Sequence, residues 1–411
     1  MNKRIYLDYA ATTPVDSKVF QAMKPYFMEK YGNPMSVHGF GQESLEAMDK
    51  ARTQVAEFLN CSPSEVIFTS GATESNNLVV KGVIRSYYSK FPTNYKSGTN
   101  IQITNKKFVI PHIITTRFEH HCVLDACKRM ENDKLAEITY LTVSKDGVIR
   151  VEDVKKAIRP NTILISMMYV NNEIGTVQPI AEIGKLIKKY YPRLIFHTDA
   201  TQGANYFDCD VNNLGVDLLS MSAHKIYGPK GIGMLYVKTN TPIRRVQDGG
   251  DQEYKMRSGT HNVPGIVGLG KAVSMISEQR PKNKEILKLR DYLIKRVLDE
   301  VSHSHLNGSK AKRSPNNANF RFDDVEGEGL VLSLDMEGIA ASTGSACSSG
   351  ALEPSHVLLS LGLKPEQAHG SLRLTLGKYT TKKDVDTAIG KLKEIIKRLR
   401  KISGGVMKEF N

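Results

Sequence analysis

The sequence predicts an α/β protein built on a mostly parallel sheet, and three observations carry that reading. Short apolar runs alternate with amphipathic helical stretches along the chain. Two of those runs close on a chemically active side chain at the edge where a parallel sheet collects its ligand. One strand–turn–helix passage aims free backbone N–H groups at an anion.

The elements follow in order. Leu45, Met48, Val55, Phe58 and Leu59 recur at three- and four-residue steps and mark a helix. Glu65-Val-Ile-Phe-Thr-Ser70 is a short buried strand; the turn Gly71-Ala-Thr-Glu-Ser75 and a helical run from Asn76 to about Ile84 follow it. Between about Lys90 and Pro111 the Pro/Asn/Gly/Lys content marks a surface excursion, a small hairpin with no catalytic part. Leu194-Ile-Phe196 opens a second strand that closes at Asp199, and Val216–Met221 a third that runs into Ser222-Ala-His-Lys-Ile-Tyr-Gly228. Near the end Val385, Ile389, Leu392, Ile396 and Leu399 repeat the helical period, opened by the capping box Thr381-Lys-Lys-Asp384.

Lys225 and Asp199 point to pyridoxal phosphate (PLP). A crowded lysine has its pKa lowered and can form a Schiff base with an aldehyde. An aspartate beside the pyridine nitrogen keeps that nitrogen protonated, as PLP chemistry requires. Each ends a successive strand, so both reach one ligand at the sheet's carboxyl edge. Taken singly, each motif has a bland alternative: a solvated lysine, or an ordinary N-capped helix at 71–75. Three motifs in consistent order favour the cofactor.

The chain resembles the cysteine desulfurase family, PLP enzymes of the NifS/IscS type. The resemblance runs from about Tyr6 to about Leu399. It rests on Tyr6-Leu-Asp-Tyr-Ala-Ala-Thr-Thr-Pro14, Tyr31-Gly-Asn-Pro34, Gly71-Ala-Thr-Glu-Ser-Asn-Asn77, Val170-Asn-Asn-Glu-Ile-Gly175, His197-Thr-Asp-Ala-Thr-Gln202, Ala223–Lys230, Met256-Arg-Ser-Gly-Thr260 and Gly344-Ser-Ala-Cys347. It implies the fold-type I transferase architecture: a large domain with a mostly parallel sheet at about 16–262, plus a smaller α+β domain from 1–15 and 263–411. Ala223 stands where the family's motif has glycine.

The family's roles carry over position by position. Lys225 would hold PLP, Asp199 would pair with its ring nitrogen, and Gln202 and Asn172 would lie near the ring hydroxyl. His120 would stack on the ring and move protons, which suits a flat, titratable side chain. Ala72, Thr73, Ser222 and His224 would form the phosphate site, with Thr260 reaching it from the second subunit of a homodimer. Arg373 would clamp the substrate carboxylate bidentately, with Asn33 and Asn172 beside it. For Asn33, Asn172 and Thr260 a purely local turn bond is the alternative.

Cys347 separates this chain from other fold-type I enzymes. It stands in Ala341–Pro354, a segment of small residues and glycines that buries little apolar area and so forms a mobile loop (about 341–354). A thiolate there would attack the sulfur of bound L-cysteine, leaving L-alanine and a persulfide on Cys347 for a sulfur-acceptor protein. The acceptor would serve iron–sulfur cluster assembly or tRNA thiolation. The segment from Cys347 to Arg373 matches the family's longer-loop subgroup. Selenocysteine lyase, another fold-type I reaction and a non-catalytic scaffold are the rival readings.

Composition bounds the rest. The 411 residues suffice for two domains, and no apolar run is long enough to span a membrane. Five cysteines without zinc spacing suit a reducing compartment and no metal site. The other four, Cys122 among them, read as packing. The chain starts on the family motif without a targeting segment, which fits a cytoplasmic enzyme. The C-terminus is short for members that dock an iron–sulfur scaffold. The net charge of +14 lies on amphipathic helices, as a solvated face does; with no tryptophan and no interleaved aromatics, direct nucleic-acid binding is not expected.

Overall fold

The computed structural model describes residues 4–91, 93–94, 102–103, 109–280, 283–344 and 354–409. Its centre is a seven-stranded sheet: β1 (Val66–Thr69), β2 (His112–Thr116), β3 (Glu137–Leu141), β4 (Thr162–Met168), β5 (Ile195–Asp199), β6 (Leu218–Ser222) and β7 (Gly233–Val237), in spatial order β1-β7-β6-β5-β4-β2-β3. Six strands share one direction, and β7 runs antiparallel to both its neighbours. β5 and β6 are buried at every position, as strands covered on both faces are.

The period of two sorts these strands into two cores. Val66, Phe68, Ile114, Ile165, Phe196, Leu219 and Met234 meet one face, with the helices Gly39–Leu59 and Val263–Gln279. Their chain neighbours Ile67, Ile113, Leu164, Ile195, Leu218 and Leu235 meet the other, with the helices Ala72–Tyr88 and His121–Asn132.

A second, smaller unit is an antiparallel sheet of β8 (Ser304–Leu306), β9 (Asn317–Phe322) and β10 (Ser371–Thr375). Its core holds Phe320, Leu372 and Leu374 with the helices Asn283–Glu300 and Lys382–Glu409. Ile5 and Leu7 join that core, and Ile5–Tyr6 pairs in parallel with Ile339–Ala340. The chain's start is thereby tied to its last third.

Several expected details are present. Thr381 and Asp384 exchange hydrogen bonds at the head of the last helix. The helix after β1 is longer than its sequence pattern indicated, starting at Ala72 and ending at Tyr88. Thr93–Asn94 pairs antiparallel with Gln102–Ile103, so the excursion forms a hairpin whose turn lies outside the described residues. Among the described residues no helix is long and apolar enough to cross a membrane.

Candidate active site

The site forms where strands of the large sheet end. β5 finishes on Asp199, level with Ser220 of β6. β6 finishes on Ser222 and passes into the single turn Ala223–Lys225. β7 begins at Gly233, where a Cβ would stand 2.6 Å from the Gly71 Cα. Only glycine allows the turn after β1 to pack this closely against the sheet edge.

That turn leads into the helix Ala72–Tyr88, whose N-cap is Gly71 and which no side chain caps. Its first N–H groups and its dipole are therefore offered to the cavity that Gly71, Ala72 and Thr73 line. Glu74 would oppose an anion there, but it turns back. It accepts from Ser70 N at 2.8 Å and from Arg257 Nε at 3.0 Å. Burial pushes the Glu74 carboxyl up; these bonds outweigh it and hold the group below the usual carboxylate range.

The cavity measures about 500 Å³. Ser222, His224, Lys225, Asp199 and Gln202 also line it. His120, Asn172 and Arg373 complete the expected residues around it. Lys225 Nζ donates to Ala10 O at 2.7 Å and to Ala11 O at 2.6 Å. Gln202 Nε2 donates to the same Ala10 O at 2.9 Å. Asp199 accepts from Asn76 Nδ2 at 2.7 Å and from Thr201 N at 2.9 Å. These donors fix the carboxylate's orientation.

Burial, then Lys225 and Lys230, push the His224 pKa down to about 4, so its ring is neutral at pH 7. Burial likewise lowers His120. Beneath them Glu119, 1% exposed, is pushed up to about 8 by burial; its Oε1 accepts from Thr116 Oγ1 and Met168 N.

Arg373, 2% exposed, stands in β10 of the smaller unit and crosses to this cavity. Its guanidinium donates to Asp8 Oδ1 at 2.8 Å and to Asn172 O at 3.0 Å, while Nε is buried without a hydrogen-bond partner. Both terminal nitrogens are thus engaged, Nη2 by Asp8 and Nη1 by the Asn172 carbonyl and, at 3.4 Å, the Gly344 carbonyl; an incoming carboxylate would share the hydrogen left on Nη2 or displace a carbonyl.

Two expected residues stand apart, and a third cannot be placed against the cavity because it lies outside the described residues. Asn33 is exposed, and its Oδ1 accepts from Met35 N at 3.0 Å, the local turn bond of the alternative reading. Thr260 is exposed and does not line this cavity. Cys347 lies outside the described residues. The chain enters that stretch at Gly344, which lines the cavity, and leaves it before Ser355, whose Oγ donates to Glu173. Asp8, the Ala10 and Ala11 carbonyls, Asn76 and Cys122 were not assigned from sequence. The quoted motifs contain Asp8, Ala10, Ala11 and Asn76, but nothing in a linear motif shows that each meets a group far along the chain.

The residues present fit PLP: an uncapped helix start for its phosphate, a lysine for its aldehyde and an oriented aspartate for its ring nitrogen. Fold and site together define a fold-type I PLP-dependent enzyme. The chain belongs to the aminotransferase class-V family, whose description matches residues 5–387, and within it to the cysteine desulfurases. It is 48% identical over 405 residues to "Cysteine desulfurase IscS" of Dictyoglomus turgidum, covering 98% of this chain and 97% of that one. The solved "NIFS-LIKE PROTEIN" is 36% identical with a TM-score of 0.86, covering 96% of this chain and all of that one. A second solved structure, "SspA in complex with cysteine", is also 36% identical, with a TM-score of 0.77 and coverage of 92% and 100%.

Proposed function

We propose that this protein converts L-cysteine to L-alanine and takes the released sulfur as a persulfide on Cys347 for transfer to an acceptor. The observation that carries the reading is that Lys225, Asp199, the uncapped helix start at Gly71 and the buried guanidinium of Arg373 meet at one cavity. Lys225 would hold PLP covalently, Asp199 its ring nitrogen, and Thr73, Ser222 and His224 its phosphate. When bound, PLP supplies an electron sink for the charge that develops on the substrate's α-carbon.

The chain's own groups do the rest. Arg373 receives the substrate carboxylate with the donor capacity left beside its bonds to Asp8 and to the Asn172 and Gly344 carbonyls. His120, neutral under burial, attends the proton movements above the cofactor ring. The Cys347 thiolate attacks the substrate sulfur, so the carbon–sulfur bond breaks and the sulfur stays on the protein. A cysteine-bound relative of the same fold supports the substrate.

The same reading includes a homodimer. Phe20, Phe27, Met28, Tyr31, Met35, Val37 and Phe40 expose large apolar side chains over a short span, as surfaces awaiting a partner do. Thr260, exposed here, would reach the neighbouring subunit's phosphate site. Asn33 would join a substrate site only if a neighbour or a rearranged turn brought it there. The same reading divides the chain at 262, with 16–262 as the large domain and 1–15 with 263–411 as the smaller; against that boundary, the helix Val263–Gln279 packs into the large sheet's core. A cytoplasmic setting and an acceptor in iron–sulfur assembly or tRNA thiolation complete it. Incubation of the PLP-loaded protein with L-cysteine and a thiol reductant tests the reaction: alanine and sulfide are expected in equal amounts, and alanine without sulfide, or neither, contradicts it.

A further inference from the structure

We propose that Cys122 and Asn76 are positioning residues that, together with the backbone N–H at position 122, hold the His120 ring proton on Nε2. The inference rests on the functional reading only for its consequence; the hydrogen-bond geometry stands alone.

His120 is the N-cap of the helix His121–Asn132, and its Nδ1 accepts the backbone N–H of Cys122 at 3.2 Å. A nitrogen that accepts a hydrogen bond carries no proton, so the neutral ring bears its proton on Nε2. A second group reaches the same atom: Cys122 Sγ lies 3.0 Å from Nδ1. Burial, then the Asp199 charge, push the Cys122 thiol up to about 12, so at neutral pH it keeps its hydrogen and has one to donate. Burial dominates the ring's own environment; Asp199 favours its charged form, while Lys225, His121 and His356 oppose it.

The direction of the thiol is set from behind. Asn76 Nδ2 donates to Cys122 Sγ at 3.1 Å, and the Thr73 hydroxyl bonds to the same sulfur. With the acceptor side of the sulfur taken, its hydrogen turns to Nδ1. Asn76 cannot be turned the other way round. Its second amide hydrogen goes to Asp199 Oδ2 at 2.7 Å, and a carboxylate only accepts. The orientation leaves Asn76 Oδ1 buried with no hydrogen-bond partner. A continuous series therefore links the partner expected for the ring nitrogen of PLP to the histidine expected above that ring: Asp199 accepts from Asn76, Asn76 donates to Cys122, and Cys122 donates to His120. Among the described residues the hydrogen bonds to His120 all fall on Nδ1, leaving Nε2–H for a ligand in the cavity. His120 then meets that ligand as a donor, and accepting the substrate's proton falls to another group, such as the Lys225 amine.

The test is long-range proton–nitrogen NMR on the PLP-loaded protein labelled with ¹⁵N-histidine, with His120 assigned from His120→Gln. The wild-type ring is expected to be Nε2-protonated between pH 6 and 8. Cys122→Ala and Asn76→Ala leave the backbone N–H at 122 as the one donor to Nδ1 and are expected to raise the minor Nδ1–H population several-fold. Cys122→Ser, which keeps a donor and the volume, is expected to restore the wild-type pattern. An Nδ1–H ring in the wild type overturns the proposal, and so does a Cys122→Ala spectrum identical to it. Alanine release from L-cysteine, measured on the same wild-type sample, reports separately on the functional reading.

Discussion

At the scale of single residues the account rests on Lys225 and Arg373. Removing the amine of Lys225 removes the covalent attachment, so Lys225→Ala is expected to lose the visible absorbance of the bound cofactor while keeping its far-UV circular dichroism; an unchanged visible spectrum contradicts the assignment. Arg373→Ala is expected to keep that absorbance and to raise KM for L-cysteine ~10- to 100-fold, since a charge-assisted hydrogen bond contributes about 1.5–3 kcal/mol. Arg373→Lys recovers little of the loss, because an ammonium lacks the fork. Steady-state kinetics beside the absorption spectrum check both. Lys225, Asp199, His120 and Arg373, which line one cavity, could be singled out in the sequence because their chemistry is unusual for their surroundings or is carried by a motif. Asp8 was not, since its partner Arg373 lies 365 positions away and neither residue type announces the other. For Asn33 both readings were legible, and within this chain its side chain makes the local turn bond.

At the scale of elements, the strands around the site were readable from apolar runs and the helices from their period. The reversed direction of β7 was not read, although about ten residues separate it from β6, too few for the crossover that a parallel return needs. Strand pairing also sets a pH response. On β5, His197 is fully buried between Ser166 Oγ and Ser220 Oγ, and burial pushes its pKa down to about 4; His112, at the start of β2, behaves alike. A histidine with a depressed folded pKa binds protons more tightly when unfolded. Stability is therefore intact above about pH 6.5 and falls as pH drops towards 4, by about 3 kcal/mol for each such group. The urea midpoint is expected to decline through that window, and His197→Gln to flatten the decline; an equal slope in the variant contradicts it. The pairing of Thr93–Asn94 with Gln102–Ile103 agrees with the hairpin read from the 91–110 stretch. Replacing it with a short Gly/Ser turn is expected to leave cofactor content and desulfurase rate within about twofold, and loss of PLP would show that it supports the site.

At the scale of the molecule, the sheet edge supplies Asp199, Ser222 and Lys225, the chain's start Ala10, Ala11 and Thr12, and the smaller unit Arg373, so the cavity exists only when both units are folded together. Sequence period could not show this, because it reports each element's own face and not which elements meet. The exposed apolar stretch from Phe20 to Phe40 and the exposed Thr260 carry the expectation of a homodimer, to be checked by light scattering at micromolar concentration. Thr260→Ala is then expected to weaken PLP retention without dissociating the dimer; a monomeric, fully active wild type contradicts the shared site.

The central claim is that sulfur leaves the substrate by attack of the Cys347 thiolate, and Cys347→Ser tests it most directly. Serine keeps the size and polarity of the side chain, but its hydroxyl is almost wholly protonated at neutral pH and is a poor nucleophile towards sulfur. Mass spectrometry of the PLP-loaded variant after exposure to L-cysteine, with alanine measured in the same sample, should show a visible spectral response to the amino acid but no alanine and no added sulfur. Alanine release at the wild-type rate would contradict the account and leave a PLP enzyme that performs another reaction.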